Sequence, residues 1–438
     1  MPKYGGFMKS LRLTPEVLKG NVKIPPSKSV AHRAIICAAL SEGKSKISNI
    51  QYSDDMIATI EGMRAFGAEI VKHDDYVEIK GISSRVTYRD SDRIIDCNES
   101  GSTLRFLIPI ALLFDGRSRF VGRGNLGKRP LNIYYEIFKQ QGIKYRYEDE
   151  ILDLIVEGKL ISGEFKLSGN VSSQFITGLL FILPMLSGDS KIIITTELES
   201  RNYIDLTLSV MKSFGIEIIN KKYKEFYIKG NQKYQARDYK VEGDYSQAAF
   251  YLVANAIGGN IQLLDLNLNS LQGDKKAIEI LESMGASLKV EDNYIGCGVN
   301  NGLKATVIDG SQCPDIIPVM AVAAALAEGT TKIINIGRLR IKECDRISAM
   351  HQVLTKLGVE IIERESELII KGRKELLGGV ELWSHKDHRI AMAIAIASIR
   401  CTEAIILKDW ECITKSYPSF FEDFKMLGGK CDEWNMGK

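Results

Sequence analysis

Residues 24–40, IPPSKSVAHRAIICAAL, join a charged mouth to an apolar body. Two prolines lead into Ser-Lys-Ser, His32 and Arg33 follow within a turn, and from Ala34 onward the run is apolar. A helix that is apolar nearly all round is one buried on every side. Five further stretches repeat the pattern: SGSTLRFLIPIALLFDG, SSQFITGLLFILPMLSG, YSQAAFYLVANAIGG, CPDIIPVMAVAAALAEG and DHRIAMAIAIASI. Their heads fall near Ser29, Ser102, Ser173, Ser246, Pro314 and His388, at intervals of 73, 71, 73, 68 and 74 residues.

A second, amphipathic helix recurs between them, as in MIATIEGMRAFGAEI and AMHQVLTKLGVEI. Each copy reaches a glycine, at 67, 142, 215, 285, 358 and 428, where a left-handed residue is expected to stop the helix. Short alternating strands such as YVEIKG and ELIIKG follow. Two series with one period and one order predict six α/β units of about 70 residues each. Six units exceed what a single core holds, so two lobes of three are expected, cut near Lys23–Pro25 and near Val241–Asp244.

Composition narrows the function classes. A net charge of +3 over 438 residues is too small for a general nucleic-acid binder. The eight cysteines form no C-x-x-C pair, and the five histidines are too scattered for a zinc site, so free thiols and no metal are expected. MPKYGGFMKSLRLTPEV lacks the apolar core of a secretory leader, and no run is long enough to span a bilayer. A cytoplasmic chain with no membrane partner is the expectation.

The helix heads carry the chemistry. An N-terminus presents unpaired N–H groups and a partial positive charge. Parallel buried helices with their heads on one face would therefore form an anion trap, shared by the two lobes if these face each other. The residues at the heads are Lys28, Ser29, Arg33, Ser102, Arg105, Ser172, Ser173, Gln174, Asp315, Asp387, His388 and Arg389. Serines there are expected to cap their helices. Lys28 and Arg389 are disfavoured by the helix dipole, so an anion is expected to justify them. GRGNLGKRPLN (122–132) matches G-x-G-x-x-G but puts Arg129 where a P-loop needs a hydroxyl, and is read as a basic loop presenting Lys128 and Arg129. In RLRIKECDRI (338–347), a helix start would set Lys342 and Arg346 on one face, with Glu343 beside them.

With these residues in place, the chain resembles the 5-enolpyruvylshikimate-3-phosphate synthase family of enolpyruvyl transferases. The likeness runs from PPSKSVAHR to CITKSYPSFF through SGSTLR, KRPL, VSSQF, VEGDYSQAAF, IKECDRI and DHRIAMA. It implies an α/β (α+β) fold: a two-lobed inverse α/β barrel, each lobe three repeats of a βαβαββ-type unit with buried parallel helices. The N-terminal lobe would be 25–242, the shikimate 3-phosphate side. The C-terminal lobe would be discontinuous, 1–24 and 243–438, with SLRLTP returning to it. The resemblance further implies a monomeric transferase of aromatic amino acid biosynthesis, with small-molecule substrates and no cofactor. It would pass the enolpyruvyl group of phosphoenolpyruvate to shikimate 3-phosphate.

Matching the family's motifs residue by residue assigns shikimate 3-phosphate to Lys28, Ser29, Arg33, Ser172, Ser173, Gln174, Ser200, Arg201, Tyr203, Asp315 and Lys342. Phosphoenolpyruvate falls to Lys28, Gly101, Arg129, Gln174, Arg346, Arg389 and Lys415. Departures stand at Ser100–Thr103, where SGST replaces the family's common NAGT, at Arg338, where some members carry Asn, and at Arg201, where some carry Lys. Among these, Asp315 is the expected acceptor of the hydroxyl proton, and Lys28 or Glu343 the donor to the methylene carbon. Two other readings stand beside it: a sister transferase acting on UDP-N-acetylglucosamine, whose mobile loop typically carries a reactive cysteine absent from GRGNLGKRPL, and a non-catalytic binder of anionic metabolites.

Overall fold

The computed structural model describes residues 10–82, 92–148, 150–291, 294–298 and 301–434. MPKYGGFMK, the first part of the stretch read as lacking a leader, lies outside the described residues. The repeat takes the form strand–helix–strand–helix–strand–strand. In the clearest copy, strand Arg93–Asp96 leads to helix Gly101–Ala111, strand Arg117–Val121, helix Asn132–Gln141 and strands Lys144–Glu148 and Asp153–Glu157. The first two strands pair in parallel, Arg93 opposite Ser118, which requires the helix as a crossover. The last two form an antiparallel hairpin whose second strand, Asp153–Glu157, pairs with Arg117–Val121.

The described residues form six such four-stranded sheets and one two-stranded pair. Three of the six draw a strand from across a unit boundary. Tyr239–Lys240 runs parallel to Lys44–Ser48, and Lys19–Lys23 runs parallel to Asn260–Leu264. Ser10–Thr14 lies between Ile405–Lys408 and Lys430–Trp434, antiparallel to both. The chain thereby divides into two compact units: Pro26–Glu242, and the residues up to Pro25 together with those from Gly243 onward.

The all-apolar helices are the cores. Every residue of Tyr245–Ala256, Ile317–Ala325 and His388–Ser398 is buried. Lys28–Ala39, Gly101–Ala111 and Ser173–Ile182 are buried but for one or two residues of the first turn. Each fully buried Leu, Ile or Phe contributes about 1.5–3 kcal/mol by leaving water. The amphipathic helices pack outside these cores and stop as expected, with φ of +98°, +68°, +83°, +91°, +81° and +93° at Gly67, Gly142, Gly215, Gly285, Gly358 and Gly428.

Candidate active site

At five of the six heads the cap is one or two residues earlier than predicted; at Pro314 the helix starts later, at Ile317 behind Ile316, with no side-chain cap. Ser27, Ser100 and Ser172 accept from the backbone N–H of Val30, Thr103 and Gln174, at 3.4, 3.2 and 3.3 Å. Asp244 and Asp387 do the same for Ser246 and Arg389, each at 2.8 Å. Ser29 and Ser102, expected to cap, instead sit inside the first turn with their helices already capped. The second helical residues meet across neighbouring helices. Gln174 Nε2 donates to Ser102 Oγ at 2.9 Å, and Arg389 Nη2 donates to Ser246 Oγ at 3.0 Å. Within each unit these contacts set two helix heads side by side.

In the unit that includes Gly243 onward, six predicted site residues form one ionic cluster. Asp315 Oδ1 lies 3.0 Å from Arg346 Nη1 and 3.5 Å from Lys342 Nζ, and Asp315 Oδ2 lies 3.6 Å from Arg389 Nη2. Glu343 Oε2 accepts from Arg346 Nη2 at 2.8 Å, and its other oxygen is 3.9 Å from Lys415 Nζ. Asp387 Oδ2 takes Arg346 Nε at 2.8 Å. Burial pushes the Asp315 carboxyl up, but Lys342, Arg389 and Arg346 together outweigh it and hold it well below the ordinary carboxylate range. Burial draws the Lys342 ammonium down, aided by Arg346 and Arg338 and opposed by Asp315. Burial also disfavours charge on Arg346, yet Asp387, Glu343 and Asp315 raise its pKa well above normal.

Two sequence expectations need correction here. Lys342 and Arg346 do not share a helix face: the helix starts at Arg346 behind the cap Asp345, and Lys342 is extended backbone. An Asp ahead of a helix offers its carboxylate to two backbone N–H groups, and that local cap excludes Lys342 and Glu343 from the helix. Nor does Arg389 require an external anion to sit at a helix head. Asp387 and Asp315 already supply negative charge there.

The same correction applies to Lys28 in the unit Pro26–Glu242, whose Nζ is 2.7 Å from the buried Asp55 Oδ2. Arg33, 2% exposed, donates through Nε to Thr207 Oγ1 at 2.8 Å and through its terminal nitrogens to the carbonyls of Ser29 and Tyr203 at 2.7 and 3.1 Å. Among the described residues no carboxylate meets it, and burial lowers its pKa to about 10. A buried cation whose charge the fold leaves uncompensated is poised for an anion. Gln174 is oriented at both ends, its Oε1 accepting from Arg105 Nη1 at 2.7 Å. A Cβ on Gly101 would come within 2.4 Å of Arg129 Nη1, so Arg129 lies on the bare glycine backbone. The loop carrying it joins strand Arg117–Val121 to helix Asn132–Gln141 through a short 3-10 turn, Gly124–Lys128, so the strand–loop–helix order read as missing is present.

Ser200 is buried and left-handed, φ 55° and ψ 45°, immediately ahead of helix Arg201–Ser213. Arg201 pairs with Glu197 and lies over the Tyr223 ring at 5.4 Å. Ser173 opens helix Ser173–Ile182 and is buried. The contacts of Asp55 with Lys28 and of Ser246 with Arg389 leave no signal in the sequence. Asp55 follows Ser53 and Asp54 in what reads as an ordinary acidic helix start. Asp387 reads in sequence as a helix head, and the structure also makes it the carboxylate that holds Arg346. Among the described residues, no group of His, Cys, Asp and Glu could hold a metal ion, and no helix is long and apolar enough to cross a membrane.

Comparison with known proteins identifies the family of the chain. Residues 13–424 match the family model described as EPSP synthase (3-phosphoshikimate 1-carboxyvinyltransferase). The chain is 64% identical over 435 residues to the 3-phosphoshikimate 1-carboxyvinyltransferase of Clostridium beijerinckii, covering 98% of this chain and 100% of that protein. It is likewise 64% identical over 438 residues to that of Clostridioides difficile, with the same coverage. Among solved structures it is similar to an EPSP synthase from Acinetobacter baumannii, with a TM-score of 0.82, 25% identity and coverage of 98% and 100%.

Proposed function

The chain belongs to the EPSP synthase (3-phosphoshikimate 1-carboxyvinyltransferase) family, and from that premise we propose how its residues carry out the transfer. The enolpyruvyl group of phosphoenolpyruvate passes to the 5-hydroxyl of shikimate 3-phosphate, and phosphate leaves. The observation that carries the residue assignment is Asp315, an ionised carboxylate ringed by Lys342, Arg346 and Arg389.

Arg346, Arg389 and Lys415, with Lys28, Gly101, Arg129 and Gln174, take phosphoenolpyruvate. Lys28, Ser29, Arg33, Ser172, Ser173, Gln174, Ser200, Arg201, Tyr203, Asp315 and Lys342 take shikimate 3-phosphate. Guanidinium groups suit the planar oxyanions of both substrates. The uncompensated Arg33 supports the phosphate assignment most directly.

The sugar hydroxyl attacks C2 of phosphoenolpyruvate while Asp315 removes its proton. Lys28 or Glu343 gives a proton to the methylene carbon, which becomes a methyl group in a tetrahedral adduct. Collapse reverses the carbon step: a proton leaves the methyl, the C–O bond to phosphate breaks, and the enol ether forms. A carboxylate held far below its usual range is a weak base. The incoming carboxylate and phosphate draw charge from Arg346, Arg389 and Lys342, which strengthens Asp315 as the reaction needs it.

Phosphate release from shikimate 3-phosphate plus phosphoenolpyruvate tests the reading. Release with UDP-N-acetylglucosamine as acceptor, or tight binding without turnover, would sink it. Neither of those alternatives is favoured by the family.

A further inference from the structure

In the motif VEGDYSQAAF (241–250), Asp244 caps helix Tyr245–Ala256, its Oδ1 accepting from the backbone N–H of Ser246 at 2.8 Å and of Gln247 at 3.2 Å. The same oxygen accepts the Ser246 hydroxyl at 2.5 Å. With its proton directed there, Ser246 Oγ offers lone pairs outward, and the buried Arg389 Nη2 donates to it at 3.0 Å. Carboxylate, hydroxyl and guanidinium thus form a relay of fixed polarity, charge-assisted at both ends.

The relay explains a distance. Arg389 Nη2 stands 3.6 Å from Asp315 Oδ2, whereas Arg346 closes on the same carboxylate to 3.0 Å. An unrestrained guanidinium beside a partly buried carboxylate would close to direct bidentate contact. Arg389 Nη2 is instead divided between Ser246 and Asp315. The next residue, Gln247, 1% exposed, donates through Nε2 to Ser416 Oγ at 3.3 Å, one position beyond Lys415.

We infer that Asp244 and Ser246 are positioning residues for the transfer, setting Arg389 at the angle from which it meets phosphoenolpyruvate. The inference rests on the reading above, in which Arg389 takes that substrate. Asp244 acts through Ser246, and Ser246 acts through Arg389; neither need touch substrate.

Ser246→Ala separates this role from helix capping, since Asp244 still accepts the two backbone N–H groups. Steady-state kinetics of the full chain should show KM for phosphoenolpyruvate raised roughly tenfold to a hundredfold, as for loss of a hydrogen bond to a charged group. KM for shikimate 3-phosphate should rise less, because the hydrogen bond lost is to a cation assigned to phosphoenolpyruvate and reaches Asp315 only through it. Ser246→Thr keeps the hydroxyl and should recover most of the loss. In an Arg389→Lys background, Ser246→Ala should add less than about twofold, since coupled residues are not additive. An unchanged KM for phosphoenolpyruvate in a folded Ser246→Ala protein overturns the inference, as does full additivity with Arg389→Lys or equal loss in Ser246→Thr. An unaltered chain that releases no phosphate from the two substrates strikes the parent reading instead, and takes this inference with it.

Discussion

Asp387 caps the helix that carries Arg389 and, with the same carboxylate, receives Arg346 Nε at 2.8 Å. One buried acid therefore sets two of the cations assigned to phosphoenolpyruvate, one through the backbone and one through the side chain. Dipoles fixed before substrate arrives need no reorganisation during the reaction.

Asp387→Asn keeps a capping oxygen but removes the charge opposite Arg346. Breaking a buried pair in this way costs about 3–5 kcal/mol, less what the amide recovers. Denaturant melts should show a loss of stability, and KM for phosphoenolpyruvate should rise more than KM for shikimate 3-phosphate. A variant as stable and as active as the parent would contradict the arrangement.

Asp315→Asn should lower kcat by more than about a hundredfold, in line with general acid–base contributions. The stability contribution of Asp315 has a definite pH sign. Its folded pKa is depressed, so the contribution is present from neutral pH down to the ordinary carboxylate range and is lost as pH falls below that. Parent and variant should therefore differ in stability at pH 7 and converge in strong acid, as followed by urea melts across pH.

Gly101→Ala places a methyl where the end of Arg129 lies, 2.4 Å from Nη1. The obstructed atom ends a flexible side chain, so Arg129 moves aside and the fold survives with a change within about 1 kcal/mol. Displacing the guanidinium should raise KM for phosphoenolpyruvate by up to about a hundredfold. A crystal structure of the variant with Arg129 unmoved would contradict this.

Ser200→Gly tests strain held at a candidate binding residue. The left-handed Ser200 costs about 1 kcal/mol that glycine would not incur. Calorimetry should show a midpoint higher by about 2–4 °C, while affinity for shikimate 3-phosphate falls with loss of the hydroxyl. A lower midpoint with unchanged affinity would assign Ser200 to stability alone.

Much of the fold was legible because its signals are local. Apolar runs and the glycines from Gly67 to Gly428 report helix bodies and stops within a dozen residues. Most cationic site residues were also legible, since a Lys or Arg beside an apolar run is unusual wherever it occurs. Their partners were not. Lys28 meets Asp55 across 27 residues, and Arg346 meets Asp387 across 41. Each of those acids also has an ordinary reading at a helix start. The helix-face reading of Lys342 and Arg346 failed on a local cue that was present, the capping Asp345.

From the sequence alone came six repeated pairs of helices, because burial on all sides and burial on one side leave different periodicities in a single strand of text. The tertiary structure alone decided which acid answers which base, and that Tyr239–Lys240 completes the sheet of Lys44–Ser48. Charge pairing and strand pairing depend on separation in space, and only the packed chain determines that separation.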